Sequence, residues 1–359
     1  MRMHVVSLPH TQTTNAYSSC AYTAKVRNFC RMMKDIIGHT VYLYAGDENE
    51  SPCDEHVSCI SEDARVASLA GKPYTSGSFD YSLPHWQMFN ARASESIKAR
   101  AEPHDFICVI GGLAHKQIAD AFPGMMTVEF GIGYGGTFSK WRIWESYAWM
   151  HTCYGAENPR NPHGIDGQWF DAVIPGYLDP DEFKFRVEKD DYCLYVGRMI
   201  ERKGVHVASE ICKAAGVRLI MAGQGECIPH YGEYVGIVGP EDRGRLMSGA
   251  RALIMPTTYI EPFGNVAVEA MACGTPVIST DWGAMTETVV DGITGYRCRT
   301  FAEFLAAVSD VSSLDPKKIR QHAIDNYSLS VIAKKYDRHF RRLSQLWTDG
   351  WYATKMVAE

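Results

Sequence analysis

The chain has 359 residues, 46% of them hydrophobic and 22% charged, the proportions of an ordinary globular protein with room for two domains. Its net charge of -6 argues against a general nucleic-acid or membrane-surface binder, while leaving room for a local basic patch. No apolar run reaches membrane-spanning length and no signal-peptide pattern opens the chain, so a cytoplasmic location is expected, with peripheral membrane association left open. The eleven cysteines form no Cys-x-x-Cys pair. Several, such as Cys108, Cys193 and Cys273, lie in apolar runs, as reduced core thiols do.

A first strand is expected over residues 3–8, followed by a polar loop over 9–19 that carries His10 and Asn15. A helix over 21–37 would end at Gly38, a suitable C-cap. Its cations Lys25, Arg27, Arg31 and Lys34 read as a solvated basic face, or else as a surface for an anionic partner such as a lipid head group. Further strands are expected at 40–44, 106–110, 126–130 and 172–174. His115 follows the strand 106–110, where a neutral imidazole can accept a hydrogen bond from a hydroxyl near neutral pH. Its replacement by alanine is expected to cut turnover and spare nucleotide affinity. Glu129 and Tyr134 lie near the end of the next strand. Gly131-Ile132-Gly133-Tyr134-Gly135-Gly136 satisfies the dinucleotide pattern Gly-x-Gly-x-x-Gly. It comes late in the chain and no ribose-binding acid follows, so it reads as a flexible lip of a cleft. Asp179-Pro180-Asp181 reads as a turn preset by proline, and no divalent metal is expected there.

Beyond residues 177–183, which mark a passage between domains, the signals sharpen. Tyr192–Val196 reads as a buried strand, followed by Gly197-Arg198-Met199-Ile200-Glu201-Arg202-Lys203-Gly204. Arg198 and Lys203 thus lie past a strand's carboxyl end, where open α/β sheets bind ligands. Without an anion they would oppose the dipole of a helix beginning there. A strand over 218–222 ends in Gly223-Gln224-Gly225. Another over 252–256 runs into Glu261-Pro262-Phe263-Gly264-Asn265-Val266-Ala267-Val268-Glu269. Gly264 permits close backbone approach, Asn265 is a candidate N-cap, and the free amides of a helix start attract phosphate. Glu269, one turn on, can accept two hydrogen bonds from a vicinal diol. Phosphate and diol together describe a nucleotide-sugar; a helix cap with two solvated glutamates is the plainer alternative. Gly274–Ser279 and Glu287–Gly295 continue the alternation of a parallel doubly wound sheet. From residue 331 to about 356, Ile332, Tyr336, Phe340, Leu343, Leu346 and Trp347 recur at helical spacing.

The order of these segments over residues 196–295 resembles the donor domain of glycosyltransferase family 4, the retaining GT-B enzymes. The shared pattern is a strand with Gly-Arg…Glu-x-Lys-Gly, a proline before Glu-x7-Glu, Gly-x-Pro-Val and an acidic-Gly-x-x-Gly turn. The resemblance implies an α/β GT-B fold, with two Rossmann-like doubly wound domains facing a central cleft. Residues 1–175 would bind the acceptor and 176–330 the nucleotide-sugar, with a C-terminal helix over about 331–359 packing back on the first domain. It further implies that Arg198 and Lys203 grip the leaving diphosphate, with Gly197 among the donor-binding residues. Glu269 would hold the ribose, and Glu261 with Phe263, Gly264, Asn265 and Val266 would contact the donor sugar. His115 takes the place of the pocket histidine, and His10, Asn15, Glu129 and Tyr134 become acceptor-cleft candidates. The implied chemistry is sugar transfer from a nucleoside diphosphate sugar by front-face attack, with no cofactor or metal required. A glycan, a lipid-linked or small molecule, or a modified nucleic-acid base are all open as acceptor. A sugar-nucleotide epimerase or hydrolase, or an inactive binding subunit, remain alternatives on the same fold. The first-strand loop departs from the family: Pro9 to Asn15 stand where many members carry Gly-Gly, so the pattern implies no diphosphate contact there and leaves the loop open to acceptor recognition.

Overall fold

The computed structural model describes residues 1–77, 79–157 and 164–347. The described chain divides into two compact units. The first holds residues 1–144, 164–174 and 332–347, and the second holds residues 145–157 and 175–331. The division differs from a single boundary at 175, because residues 145–157 group with the second unit. The reason is local: Glu287 accepts the amides of Tyr147 and Ala148 at 3.0 and 2.8 Å, and Ser146 Oγ donates to the Pro262 carbonyl at 2.7 Å. Glu287 thereby satisfies the open amides at the start of the helix Tyr147–Glu157.

In the first unit, seven strands form one parallel sheet: β1 (Arg2–Val6), β2 (Thr40–Gly46), β3 (Glu55–Ile60), β4 (Phe106–Val109), β5 (Met126–Ile132), β6 (Trp141–Trp144) and β7 (Ala172–Val173). Their order is β3-β2-β1-β4-β5-β6-β7. Winding reverses beside β1, which pairs with β2 on one side and β4 on the other. The strands are buried on both faces, which accounts for their near-continuous apolar runs. The edge strand β3 carries Glu55, His56 and Ser58, and this polar composition hid it from pattern reading.

The expected helix over 21–37 is α-helical only over Ala21–Arg31 and passes into a π turn, Met32–Ile36. There the Ile37 amide bonds back to the Met32 carbonyl at 3.0 Å. Its cations do not form a solvated basic face, a second correction. Lys25 is buried with Nζ donating to the Gly131 carbonyl at 3.1 Å, Arg27 lies 3.8 Å from Glu50, and Lys34 pairs with Asp54. The helix Leu329–Ser344 and the turn Gln345–Trp347 end the described chain, and the expected helical stretch beyond residue 347 lies outside the described residues. Within the first unit Tyr336 meets Phe29 edge-on at 5.3 Å, and Phe340 meets Phe106 at 5.1 Å.

In the second unit, β8 (Tyr192–Val196), β9 (Arg218–Ala222), β10 (Glu233–Tyr234), β11 (Ala252–Met255), β12 (Val277–Thr280) and β13 (Gly295–Cys298) form a six-stranded parallel sheet, ordered β10-β9-β8-β11-β12-β13. Alternation along the strands supplies two cores. Leu194, Leu253 and Val277 join Ala267 and Met271 on one face, while Cys193, Ile254 and Ile278 join Ala208 and Ile211 on the other. Leu194 and Leu253 are wholly buried, and each contributes about 1.5–3 kcal/mol of transfer free energy. Winding reverses between β8 and β11. The crevice outside the carboxyl ends of those two strands is where this architecture binds ligands. All eleven cysteines are free. Among the described residues, no helix is long and apolar enough to cross a membrane.

Candidate functional site

The loops leaving β8 and β11 meet at that switch point. After β8 the chain forms a 3-10 turn, Glu201–Lys203, and only then a helix beginning at Val205, rather than opening directly into a helix. Gly204 makes the junction with φ +76°, and a Cβ there would stand 2.0 Å from the Pro256 carbonyl oxygen. This close approach carries Lys203 to the end of β11. Its Nζ lies 2.7 Å from Glu261 Oε2 and 3.0 Å from Tyr259 Oη, while Tyr259 Oη donates to Glu261 Oε1 at 2.8 Å. The Lys203 and Glu261 side chains are only 19% and 11% exposed. Burial first, and the Glu261 charge second, push the Tyr259 phenol up, so it stays a hydrogen-bond donor. Arg198 is exposed, and among the described residues its guanidinium has no hydrogen bond or ion pair. Gly197 is held by its amide to the Ala222 carbonyl at 3.0 Å.

Eight residues beyond Glu261, the second pole of the site rides on the helix Asn265–Ala272. Asn265 is not its N-cap. Gly264 takes that position in the left-handed region (φ +85°), where a Cβ would stand 2.4 Å from Met285 Cε, and Asn265 is the first helical residue. No side chain therefore covers the opening amides of this helix, which lack intrahelical acceptors by construction. Phe263 is buried against Tyr327, ring centroids 5.6 Å apart. Val266 packs on the core. Glu269 stands about 6 Å further along the axis from Asn265. Its Oε2 faces Arg243 Nε at 3.6 Å, and both atoms are buried without a hydrogen bond.

The first unit presents a different set. His115, expected at an open strand end, is fully buried between Trp86 and Phe89. Its Nδ1 accepts the Gly111 amide at 3.0 Å, its Nε2 makes no well-formed hydrogen bond among the described residues, and burial, only weakly opposed by the nearby Ser7 backbone, lowers its pKa to about 3. Trp86 and Phe89 project from the helix Pro84–Lys98, whose apolar face seals the histidine from solvent. His10 is also buried, lowered to about 4 by burial and then by the nearby His85 and Arg65. Gly77 lies so close to its ring that a Cβ would sit 2.5 Å from His10 Cδ2. Asn15 is exposed, with its amide donating to Glu50 Oε2 at 2.7 Å. Glu129 and Tyr134 are brought together: buried Glu129 accepts the amides of Phe138 and Ser139 at 2.9 Å each and the Tyr134 hydroxyl at 3.4 Å. Burial raises Glu129 to about 7 against these bonds and the charge of Arg142.

Residues 190–313 match the family described as "Glycosyl transferases group 1". That match lies within the second unit and covers about a third of the chain. It is 34% identical over 149 residues to a glycogen synthase of Mycobacterium tuberculosis, covering 36% of this chain and 36% of that protein. It is 31% identical over 206 residues to D-inositol 3-phosphate glycosyltransferase of Mycolicibacterium smegmatis, covering 52% of this chain and 47% of that protein. The match thus spans less than half the length of either relative. Among solved structures, AviGT4, a glycosyltransferase involved in avilamycin A biosynthesis, superposes with a TM-score of 0.69 at 19% identity, covering 96% of this chain and 98% of that one. Anabaena Alr3699/HepE in complex with UDP and glucose gives a TM-score of 0.64 at 15% identity, covering 95% and 100%. These likenesses establish the GT-B fold.

Two residues of this group 1 domain escaped the sequence reading. Tyr259 lies two positions before Glu261, the offset that puts both side chains on one face of an extended segment. Arg243 lies in the helix Pro240–Gly249, with no local pattern to link it to Glu269. The competing motifs dissolve in the structure. Gly131–Gly136 leads into strand β6 rather than a helix, so it lacks the helix N-terminus a dinucleotide site needs. Asp179 accepts the Asp181 amide at 3.1 Å and caps the 3-10 turn Pro180–Glu182. Among the described residues no group of three or more His, Cys, Asp or Glu is placed to hold a metal ion.

Proposed function

We propose that this chain is a retaining glycosyltransferase that moves a sugar from a nucleoside diphosphate sugar to an acceptor hydroxyl, the second unit taking the donor and the first the acceptor. The observation that carries this reading is the closed contact of Lys203, Tyr259 and Glu261 at the β8–β11 switch point, with Arg198 unpaired among the described residues on the loop leaving β8. When the bond from the anomeric carbon to the diphosphate breaks, negative charge builds on the phosphate oxygens and positive charge on the sugar. Lys203 and Arg198 stabilise the first without a divalent ion, because preorganised cations in a partly buried site need no reorganisation. Glu261 lies on the sugar side, the opening amides of the helix Asn265–Ala272 meet phosphate, and Glu269 receives the ribose hydroxyls. In front-face attack the acceptor oxygen bonds to the anomeric carbon on the side the diphosphate leaves, and its proton passes to the departing phosphate oxygen. The configuration is thereby kept. The UDP and glucose in the Alr3699/HepE complex make UDP-glucose the first donor to try. His115, sealed in the core, supports its loop from behind rather than touching substrate.

A thermal-shift screen of UDP-, GDP- and ADP-sugars tests the proposal. A true donor at a hundred times its dissociation constant stabilises the fold by about 2.7 kcal/mol, and NMR of the product reads the anomeric configuration. The proposal fails if no nucleotide-sugar or nucleoside diphosphate shifts the melting temperature. Free sugar released without transfer product would mark a hydrolase, and binding without turnover an inactive subunit.

A further inference from the structure

Four residues, Thr257-Thr258-Tyr259-Ile260, join Pro256 at the end of β11 to Glu261. The Thr257 carbonyl accepts Thr280 Oγ1 at 2.9 Å, and the other ties converge on one carbonyl. The Arg202 carbonyl accepts Thr257 Oγ1 at 3.2 Å, the Thr258 amide at 3.0 Å and Thr258 Oγ1 at 3.2 Å. That anchorage lays the Tyr259 ring against two neighbouring cations, with Arg202 Cζ 4.7 Å and Lys203 Nζ 4.5 Å from its centroid. The hydroxyl at the far end of the ring then works in both directions. It donates to Glu261 Oε1 at 2.8 Å and accepts from Lys203 Nζ at 3.0 Å.

A lysine ammonium has three N–H donors. Two are committed here, to Tyr259 Oη and Glu261 Oε2. The third has no acceptor among the described residues. Without the hydroxyl, Glu261 Oε1 would lose its donor and the ammonium would be free to swing onto both carboxylate oxygens; it would still spend two N–H groups, but the third would point in a new direction. We infer that Tyr259 is a positioning residue, which shares Lys203 with Glu261 and keeps one ammonium N–H directed at the diphosphate of the donor. This inference rests on the donor-site reading above. It assigns a role to a residue outside the two-glutamate motif, one that acts through Lys203 and does not itself touch the leaving group.

Tyr259→Phe keeps the ring and both cation contacts and removes only the hydroxyl. Titration calorimetry with UDP reads the result, with the melting temperature of each variant measured alongside. A hydrogen bond to a charged group is at stake, so the dissociation constant for UDP is expected to rise about 10- to 100-fold. Because the effect runs through Lys203, the same change made in a Lys203→Met background should weaken UDP binding no further. A merely structural tyrosine would lower the melting temperature and add its full loss in both backgrounds. Wild-type UDP affinity in Tyr259→Phe, or equal losses with and without Lys203, overturns the inference while leaving the donor site in place. Undiminished UDP binding in Lys203→Met alone would instead overturn the donor-site reading.

Discussion

At the winding switch of the second unit, charged side chains reach the carboxyl edge of the sheet, pair with each other and keep unspent hydrogen-bonding capacity. At the corresponding switch of the first unit, beside β1 and β4, the candidate groups are imidazoles withdrawn from solvent and lowered to about 4 at His10 and about 3 at His115. Both loops follow strands of the same parallel architecture, so topology does not explain the contrast. Side-chain length and partner chemistry do. Lys203 reaches a carboxylate on the neighbouring loop, whereas among the described residues His10 and His115 have no acidic partner and are covered by Gly77, Trp86 and Phe89. A crevice of fixed charge suits an anionic ligand; one whose imidazoles are neutral at pH 7 offers less to an anion. This difference parallels the assignment of donor to the second unit and acceptor to the first.

Lys203→Met attacks the charged side of the comparison and carries the largest expected effect. Loss of one preorganised group facing developing charge costs about 2.7–4 kcal/mol of barrier, a fall in turnover of roughly 100- to 1,000-fold. Consumption of the donor nucleotide-sugar measures it. Arg198→Ala is expected to lower turnover less, because an exposed cation is screened by solvent. Retained turnover in both variants would move the chemistry away from the β8–β11 crevice.

His115→Ala probes the neutral side. The fully buried ring accepts the Gly111 amide, so its removal leaves a cavity and an unsatisfied N–H, at a cost of about 1–3 kcal/mol in stability for the lost hydrogen bond alone. Denaturant unfolding reads the loss, and UDP affinity should not change. If stability is untouched while turnover falls, the histidine reaches substrate after all and the two crevices are more alike than their burial indicates.

The second unit's site was largely legible in the sequence because its chemistry is local. Arg198 and Lys203 are placed by one strand end, and Glu261 and Glu269 by one helix start. The glycines at 204 and 264 betray the tight contacts they allow, with Pro256 and with Met285. What stayed hidden was set by packing between distant segments. Tyr259 gains its meaning only when Lys203 is folded against it, and Arg243 only when its helix lies beside Glu269. Asn265 lost the cap position because a left-handed glycine does the same work without a side chain. The burial of His115 depends on aromatic residues some thirty positions away on the helix Pro84–Lys98, which no periodicity around residue 115 reveals. For the same reason the basic residues of the first helix look solvated in sequence, while Lys25 is in fact turned inward to the Gly131 carbonyl.

The most discriminating effect is expected at Glu129. Its carboxyl is raised from 4.5 to about 7, chiefly by burial, with the amides of Phe138 and Ser139, the Arg142 charge and the Tyr134 hydroxyl opposing the rise. Arg142 is itself neutralised by Asp171 at 3.0 Å. Between those two pH values the folded protein holds a proton that the unfolded chain releases. The contribution to stability is therefore fully present below about 4.5 and is lost as pH climbs to about 7, the reverse of a salt-bridged carboxylate. The slope is on the order of 1 kcal/mol per pH unit within that window and vanishes above it. Glu129→Gln keeps an acceptor for the loop amides but cannot titrate, so its unfolding free energy should lack this descent. Parallel curves for the two proteins from pH 5 to 8 would show that Glu129 ionises like an exposed acid. The first crevice would then hold a fixed negative charge, and the contrast with the second would be one of sign rather than of charge against neutrality.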